Sequence, residues 1–350
     1  MDLRLKTGVM GVRARSPYSA VYRLFSEEHM IDVVGIGSAL MDLTIRVDEA
    51  TLDRLGLKKG TMQLVDAERS RSILGALAGH AIEKTPGGSA ANTAAGVAAL
   101  GGSAVFMGKV GGDEFGELYR EESERMGVSM RLARHGSMTG HAITLITDDS
   151  ERTFATHLGA AVYFVKEDVA ADDVRSARAL HVEGYMLEGA MKEATLYAMH
   201  IAREHGVKVS IDLADPSLIG RNLDELKKIA IEYADVLYAN EDEAAAFTGE
   251  RGEKALEAMA SMCDIAVVKL GEKGSLVRSG KITHRVEPFR VEAVNTNGAG
   301  DMYAAGMLYG LAHGLPLERA GKIASYASSR VVAQVGARLS ARLDTGQIGI

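Results

Sequence analysis

The stretch "NTNGAGD", residues 295–301, lies between a strand-like run, "HRVEPFRVEAV" (284–294), and a helix-like one, "MYAAGMLYGLAHG" (302–314). Gly298, Ala299 and Gly300 stand directly at the helix start, with Asp301 on its first turn. A tight turn needs one glycine, whereas this run exposes several backbone N–H groups at a helix N-terminus, the geometry of an anion site. A Cβ there would keep a ligand off the backbone. Asp301 then stands beside an anion that it repels, which is useful only if it handles a proton. A carboxylate that deprotonates a hydroxyl attacking a phosphoryl group meets that demand. The plain alternative is a capped helix start after a turn.

Working outward, apolar strand patterns alternate with alanine-rich helical ones. "IDVVGIG" (31–37) and "SAVFMGKV" (103–110) bracket the helix pattern "SAANTAAGVAALGG" (89–102), with Ser89 as its expected N-cap and Gly101–Gly102 beyond its end. Strands are expected at "ALHVEGY" (179–185), "VKVSIDL" (207–213), "DVLYAN" (235–240) and "IAVVKL" (265–270). Helices are expected at 190–206, 223–233, 241–249 and 253–262, a hairpin at "GSLVRSGKITHRV" (274–286), and two helices at the C-terminal end. Continuous apolar strands separated by helices indicate an α/β fold with a mostly parallel sheet covered on both faces. By contrast, "DLTIRV" (42–47), "TGHAITLITD" (139–148) and "ERTFATHL" (151–158) alternate apolar and polar residues, the mark of a small sheet with one wet face. They predict a lid built from about 39–48 and 139–160.

Composition excludes several classes. The chain has 350 residues, 47% hydrophobic and 25% charged, with a net charge of −7 and no long basic run, which argues against nucleic acid or anionic membrane as partner. The single cysteine, Cys263, rules out an internal disulfide framework and suits a cytoplasmic location. Every long apolar stretch is broken by charge, so no membrane span is expected. Residues 1–30 lack an apolar h-region and read as a peripheral or non-native extension; 31–340 form the main domain and 341–350 a tail.

Further stretches carry candidate chemistry. "GIGSAL" (35–40) fails as a dinucleotide fingerprint at Leu40, and no G-x-x-x-x-G-K-[ST] occurs. "TPGGSAAN" (85–92) places Gly87 and Gly88 just before a helix, and Asn92 offers donor and acceptor to vicinal hydroxyls. "ANEDEAAAF" (239–247) sets Asn240 and Glu243 three apart at a strand-to-helix junction, where they suit the water shell of magnesium or simply cap the helix. "KLGEKGS" (269–275) is a strand end followed by a glycine turn.

Taken together, over residues 31–340, "GSALMD", "GGSAAN", "NEDE" and "NTNGAGD" resemble the motifs of the ribokinase or PfkB family of carbohydrate and nucleoside kinases, in the family's order. The resemblance implies a ribokinase-like three-layer αβα sandwich with a β-sheet lid, and ATP-dependent phosphorylation of a primary alcohol. It implies Asp301 as catalytic base with Gly298, Ala299 and Gly300 as anion hole. Asp42, Gly87, Gly88 and Asn92 would hold the acceptor, and Asn240 and Glu243 would organise ATP and Mg2+, Glu243 through water. Lys269, Gly271 and Gly274 would line the ATP side. One departure matters: the family's motif opens with Asp, and here it is Asn295. An amide removes one negative charge from a monovalent-cation site, so weak or absent K+ dependence is expected.

"GSALMDLTIRVDEATLDRLGLKKGTMQLVD", "SERTFATHLGAA" and "EGYMLEG" lean toward the adenosine-kinase-like branch, with Tyr185, Met186 and Phe154 as candidate apolar walls and His157 as the histidine to watch. "VVKLGEKGS" is equally at home in sugar kinases of the ribokinase, fructokinase or keto-deoxygluconate type. A non-catalytic sugar or nucleotide sensor on the same fold is a further alternative, although Asp301 and Glu243 are both present. Lids in this family also pair, so a homodimer through the lid is an expectation.

Overall fold

A computed structural model describes residues 31–149, 151–339 and 341–348; the N-terminal extension lies outside the described residues. The chain begins with β1 (Ile31–Ile36), β2 (Leu40–Arg46), α1 (Glu49–Arg54), β3 (Met62–Leu64), α2 (Ala67–Ala76), β4 (Glu83–Pro86) and α3 (Ser89–Ala99). Next come β5 (Ala104–Gly111), α4 (Glu114–Arg125), β6 (Val128–His135), β7 (Gly140–Ile146), β8 (Arg152–His157), α5 (Ala171–Arg175), β9 (Ala177–Glu183), α6 (Met191–Glu204) and β10 (Lys208–Asp212). The last part holds α7 (Pro216–Tyr233), β11 (Val236–Asn240), α8 (Glu241–Thr248), α9 (Gly252–Ala260), β12 (Ile265–Lys269), β13 (Ser275–Ser279), β14 (Ile282–Val286), α10 (Ala299–Ala312) and α11 (Leu317–Val332).

A nine-stranded sheet runs in the order β14-β13-β12-β11-β10-β9-β1-β5-β6. From β12 to β6 every pair is parallel, and the β13–β14 hairpin closes one edge antiparallel. Its strands are apolar on both sides because helices cover both faces. Val34, Ile36, Leu180, Val209 and Ile211 pack with Met199, Leu218, Phe247 and Leu256 from α6–α9. On the opposite face Val33 and Phe106 meet α3, while Val236, Tyr238 and Val267 meet Met307 and Ala324 from α10 and α11. The sandwich of three layers predicted from the strand–helix alternation is therefore present.

A five-stranded sheet, β3-β8-β7-β2-β4, stands apart from it. One face, with Met41, Leu43, Ile45, Ile143, Leu145 and Ala155, packs on Leu52, Ile73 and Leu77 of the α1 and α2 region. Paired residues share a face and successive ones alternate. The row Asp42–Ala142–Thr156–Leu64, and beside it Thr144–Phe154–Met62, therefore lie on the open face. The expected lid segments supply β2, β7 and β8. Strands β3 and β4 were not expected: the first is only three residues long, and the second, "EKTP", is charged and ends in a proline, which an edge strand tolerates.

Two expectations need correction. The strand expected through 284–294 stops at Val286, and residues 287–298 carry no helix or strand; Pro288 has no N–H to extend the ladder. The helix expected at 223–233 starts earlier, at Pro216, with the Asp215 side chain capping Leu218 N–H. Asn222 is non-helical (φ −128°, ψ 18°), and that kink breaks the periodicity visible in the sequence.

Candidate active site

Helix α10 begins at a loop whose shape depends on glycine. Gly298 adopts φ +77°, and a Cβ there would fall inside the carbonyl oxygen of Ala337. Of the amides expected to form an anion hole, that of Ala299 folds back on the Thr296 carbonyl at 3.2 Å. Asn295 braces the loop: its Oδ1 accepts the Asn297 N–H at 2.9 Å and its Nδ2 donates to the Gly336 carbonyl at 3.3 Å. The same Oδ1 accepts the Arg152 guanidinium at 2.6 Å, a contact from the small sheet to the body.

Asp301 meets α3 across the chain. Ser89 Oγ donates to Oδ1 at 2.7 Å and Asn92 Nδ2 to Oδ2 at 2.8 Å, while Thr93 Oγ1 donates to the Asp301 carbonyl at 3.2 Å. Ser89 therefore does not cap its own helix, as the sequence led us to expect. Gly88 holds the N-cap position at φ +89°, pressed against the Ser38 carbonyl, and the hydroxyl of Ser89 turns to Asp301. Burial pushes the Asp301 carboxyl upward and the negative field of Asp212 adds to that; the Ser89 and Asn92 hydrogen bonds and the Lys269 ammonium oppose it.

Asp42 lies on the open face of the small sheet, against Gly87, where a Cβ would collide with its carboxylate. Burial pushes its pKa up to about 6; the Arg338 guanidinium pulls the other way and Asp301 adds to the rise. Arg338 escaped the sequence reading. It is 7% exposed, donates to Asn92 Oδ1 at 2.8 Å, Ser123 Oγ at 2.9 Å and the Gly87 carbonyl at 3.0 Å, and lies over the Tyr119 ring. Glu183 was also missed. It is 3% exposed and accepts the Ala90 N–H at 3.0 Å and the Ser38 N–H at 3.3 Å. Burial pushes its pKa up to about 7 against those hydrogen bonds.

On the other side of α10, Asn240 and Glu243 form a reciprocal cap. Asn240 Oδ1 accepts the Glu243 N–H at 2.8 Å, and both Glu243 oxygens accept from Asn240, at 2.7 and 2.6 Å. Burial pushes Glu243 up to about 7, Asp212 adds to this, and Lys269 lowers it. With both oxygens engaged, a magnesium ion would meet this pair through its own waters. Lys269 Nζ donates to Asp212 Oδ2 at 2.7 Å. Gly271 and Gly274 line a cavity of about 880 Å³ together with Phe289, Thr296, Tyr303 and Val332, and the irregular segment after β14 forms one of its walls.

The remaining candidates divide. Phe154 stands on the open face, half-buried; Met186 is fully buried core, and Ser38 Oγ reaches its sulfur. His157 pairs with His141 on the packed face and its Nδ1 lies 3.0 Å from the Val65 carbonyl, so it is not aimed at the cleft. Among the described residues no helix is long and apolar enough to cross a membrane, and no cluster of His, Cys, Asp and Glu is arranged to hold a metal ion.

Comparison with known proteins identifies the family. The model of the pfkB family carbohydrate kinases matches residues 30–344. A curated relative, 5-dehydro-2-deoxygluconokinase of Bacillus velezensis, is 30% identical over 89% of this chain and 91% of its own. A probable sugar kinase from Rhizobium etli superposes with TM-score 0.84 at 34% identity, over 92% of this chain and 99% of its own. The adenosine kinase from Sinorhizobium meliloti gives TM-score 0.82 at 34% identity with the same coverage. Kinases of this family use ATP and magnesium to phosphorylate small sugars or nucleosides. The chain is thus a phosphotransferase acting on an alcohol group, and it belongs to the pfkB family of carbohydrate kinases.

Proposed function

We propose that this chain transfers the γ-phosphoryl group of ATP to a primary hydroxyl of a nucleoside-like acceptor, with Asp301 as the base. The observation that carries this is the setting of Asp301: a half-buried carboxylate on the first turn of a glycine-started helix, oriented by two hydrogen bonds from α3. The acceptor would lie between Asp42 and Asp301, with Asn92 and the Gly87–Gly88 backbone against its hydroxyls. Asp301 orients the attacking hydroxyl and takes its proton; the helix N–H groups meet the charge of the phosphoryl group. The cavity beside Gly271 and Gly274 is large enough for a nucleotide. Asn240 and Glu243 would hold magnesium through water, and that ion would neutralise phosphate charge.

The open face of the small sheet favours a nucleoside. Met62 (54% exposed) and Leu64 (65%) stand in the rows of Phe154 and Asp42, an apolar surface that a free sugar does not need and a purine face does. A keto-sugar acid is the second reading. It is favoured by the name of the Bacillus relative and by Arg152, a cation on the same open face that suits a carboxylate. The experiment is ATP consumption with magnesium across adenosine, other nucleosides, ribose, fructose and keto-deoxygluconate, with Asp301→Asn in parallel. One preferred nucleoside, with Asp301→Asn slower by about 10²-fold or more, is the expected result. Turnover only with a sugar acid transfers the assignment to the second reading, and an active Asp301→Asn enzyme removes the base.

A further inference from the structure

β10, β11 and β12 end side by side, and their last residues are Asp212, Asn240 and Lys269. Ligands of open parallel sheets bind at these strand ends. The Lys269 ammonium bonds Asp212 with one of its three protons, and both side chains are largely withdrawn from solvent. It also faces the first turn of α10, since a Cβ added at Gly300 would stand 3.1 Å from Nζ. That is a poor resting place for a cation, because a helix N-terminus is the positive end of the dipole. The carboxylates of Asp212, Glu243 and Asp301 keep it charged there against the pull of burial. A lysine held in this way, with donors to spare, suits an anion arriving at the same helix end.

We propose that Lys269 is a catalytic residue whose ammonium touches the phosphoryl group during transfer, with Asp212 as the counter-ion that stations it there between turnovers. This deepens the kinase reading above and rests on it. In the step, the acceptor oxygen bonds to phosphorus while the bond from phosphorus to the β–γ bridging oxygen breaks. ADP leaves with that electron pair, and Asp301 takes the acceptor's proton. Negative charge is spread over the three equatorial oxygens throughout. Lys269 meets it from the sheet side and the α10 amides from the helix side. A compact point charge serves such a rotating set of oxygens, and the missing Cβ at Gly300 leaves room for it.

The test uses the full chain with Lys269→Arg and the double variant Lys269→Met/Asp212→Asn, which avoids stranding a buried Asp212 charge. For the double variant, kcat falls about 10²-fold while KM for the acceptor stays unchanged. Calorimetry shows affinity for a non-hydrolysable ATP analogue falling about tenfold or more, with ADP affinity unchanged. Lys269→Arg keeps the charge and recovers part of both losses. The proposal is overturned if ADP and the analogue weaken together, if neither weakens, or if kcat is unaltered. A wild-type chain that binds neither nucleotide and turns over no acceptor overturns the kinase reading first, and this one with it.

Discussion

Glu183 offers a measurement of how strongly the site resists negative charge. It is 3% exposed, its two backbone donors do not offset its burial, and its pKa rises from 4.5 to about 7. In the unfolded chain it ionises at the lower value. Between the two values the folded state therefore holds the extra proton, and stability falls as pH rises through that window. Stability from this group is fully present below about pH 4.5 and is lost by about pH 7. Between about pH 5 and about pH 8 the loss from this one residue is about 2.5 kcal/mol, from the linkage relation. Glu183→Gln has no proton to lose. Its absolute stability also shifts, because an amide replaces one acceptor oxygen with a donor, but that shift is independent of pH. Urea denaturation of both proteins at the two pH values isolates the titration: the wild type loses about 2.5 kcal/mol more than the variant. Equal losses in the two proteins would refute the argument that Glu183 is held neutral by burial.

Three further outcomes are expected. Gly298→Ala forces a side chain into the left-handed region and against the Ala337 carbonyl; it costs more than the ~1–2 kcal/mol of the backbone term alone, seen as a lower Tm, and an unchanged Tm would mean the loop relaxes freely. Met62→Ser with Leu64→Ser removes the apolar surface of the open face and raises KM for a nucleoside about tenfold or more by lost burial, with KM for a free sugar unaffected. Replacing sodium by potassium leaves the rate essentially unchanged, since Asn295 supplies no charge and its oxygen already serves Arg152 and Asn297; strong potassium activation would contradict this.

What the sequence disclosed and what it concealed have a common physical origin. "NTNGAGD" and "GGSAAN" are legible because glycine at a helix start is a local requirement: Gly298 and Gly88 both hold positive φ. The apolar strands are legible because both sheet faces are covered. Arg338 carries no such mark. It follows α11 in an irregular stretch, and its role comes from contacts with Gly87, Asn92 and Ser123, more than two hundred residues away. Glu183 ends an apolar strand, where a single carboxylate reads as the usual polar exit; only the fold shows that the strand ends inside the protein. Ser89 was assigned a local role, as a cap, because a sequence shows neighbours along the chain. Its actual partner, Asp301, is 212 residues away.

The pairing of α3 with Asp301 bears on how the protein is made. A ribosome adds about 5–20 residues per second, so α3 exists long before the residues it serves. Its positions Ala90–Ala99 are all buried in the finished protein, and Ala305 and Leu308 of α10 belong to the same cluster. Until that helix emerges, one flank of α3 lacks its native cover, and the nascent chain presents an alanine- and valine-lined stripe suited to a chaperone. The turn before α3 is completed later still, when Arg338 threads back to Asn92 and Gly87. A chain cut short before that residue would carry "GGSAAN" and "NTNGAGD" intact and still lack the guanidinium that ties Gly87 to Asn92. The packing around Gly87 and Asn92 is therefore incomplete until translation has passed residue 338.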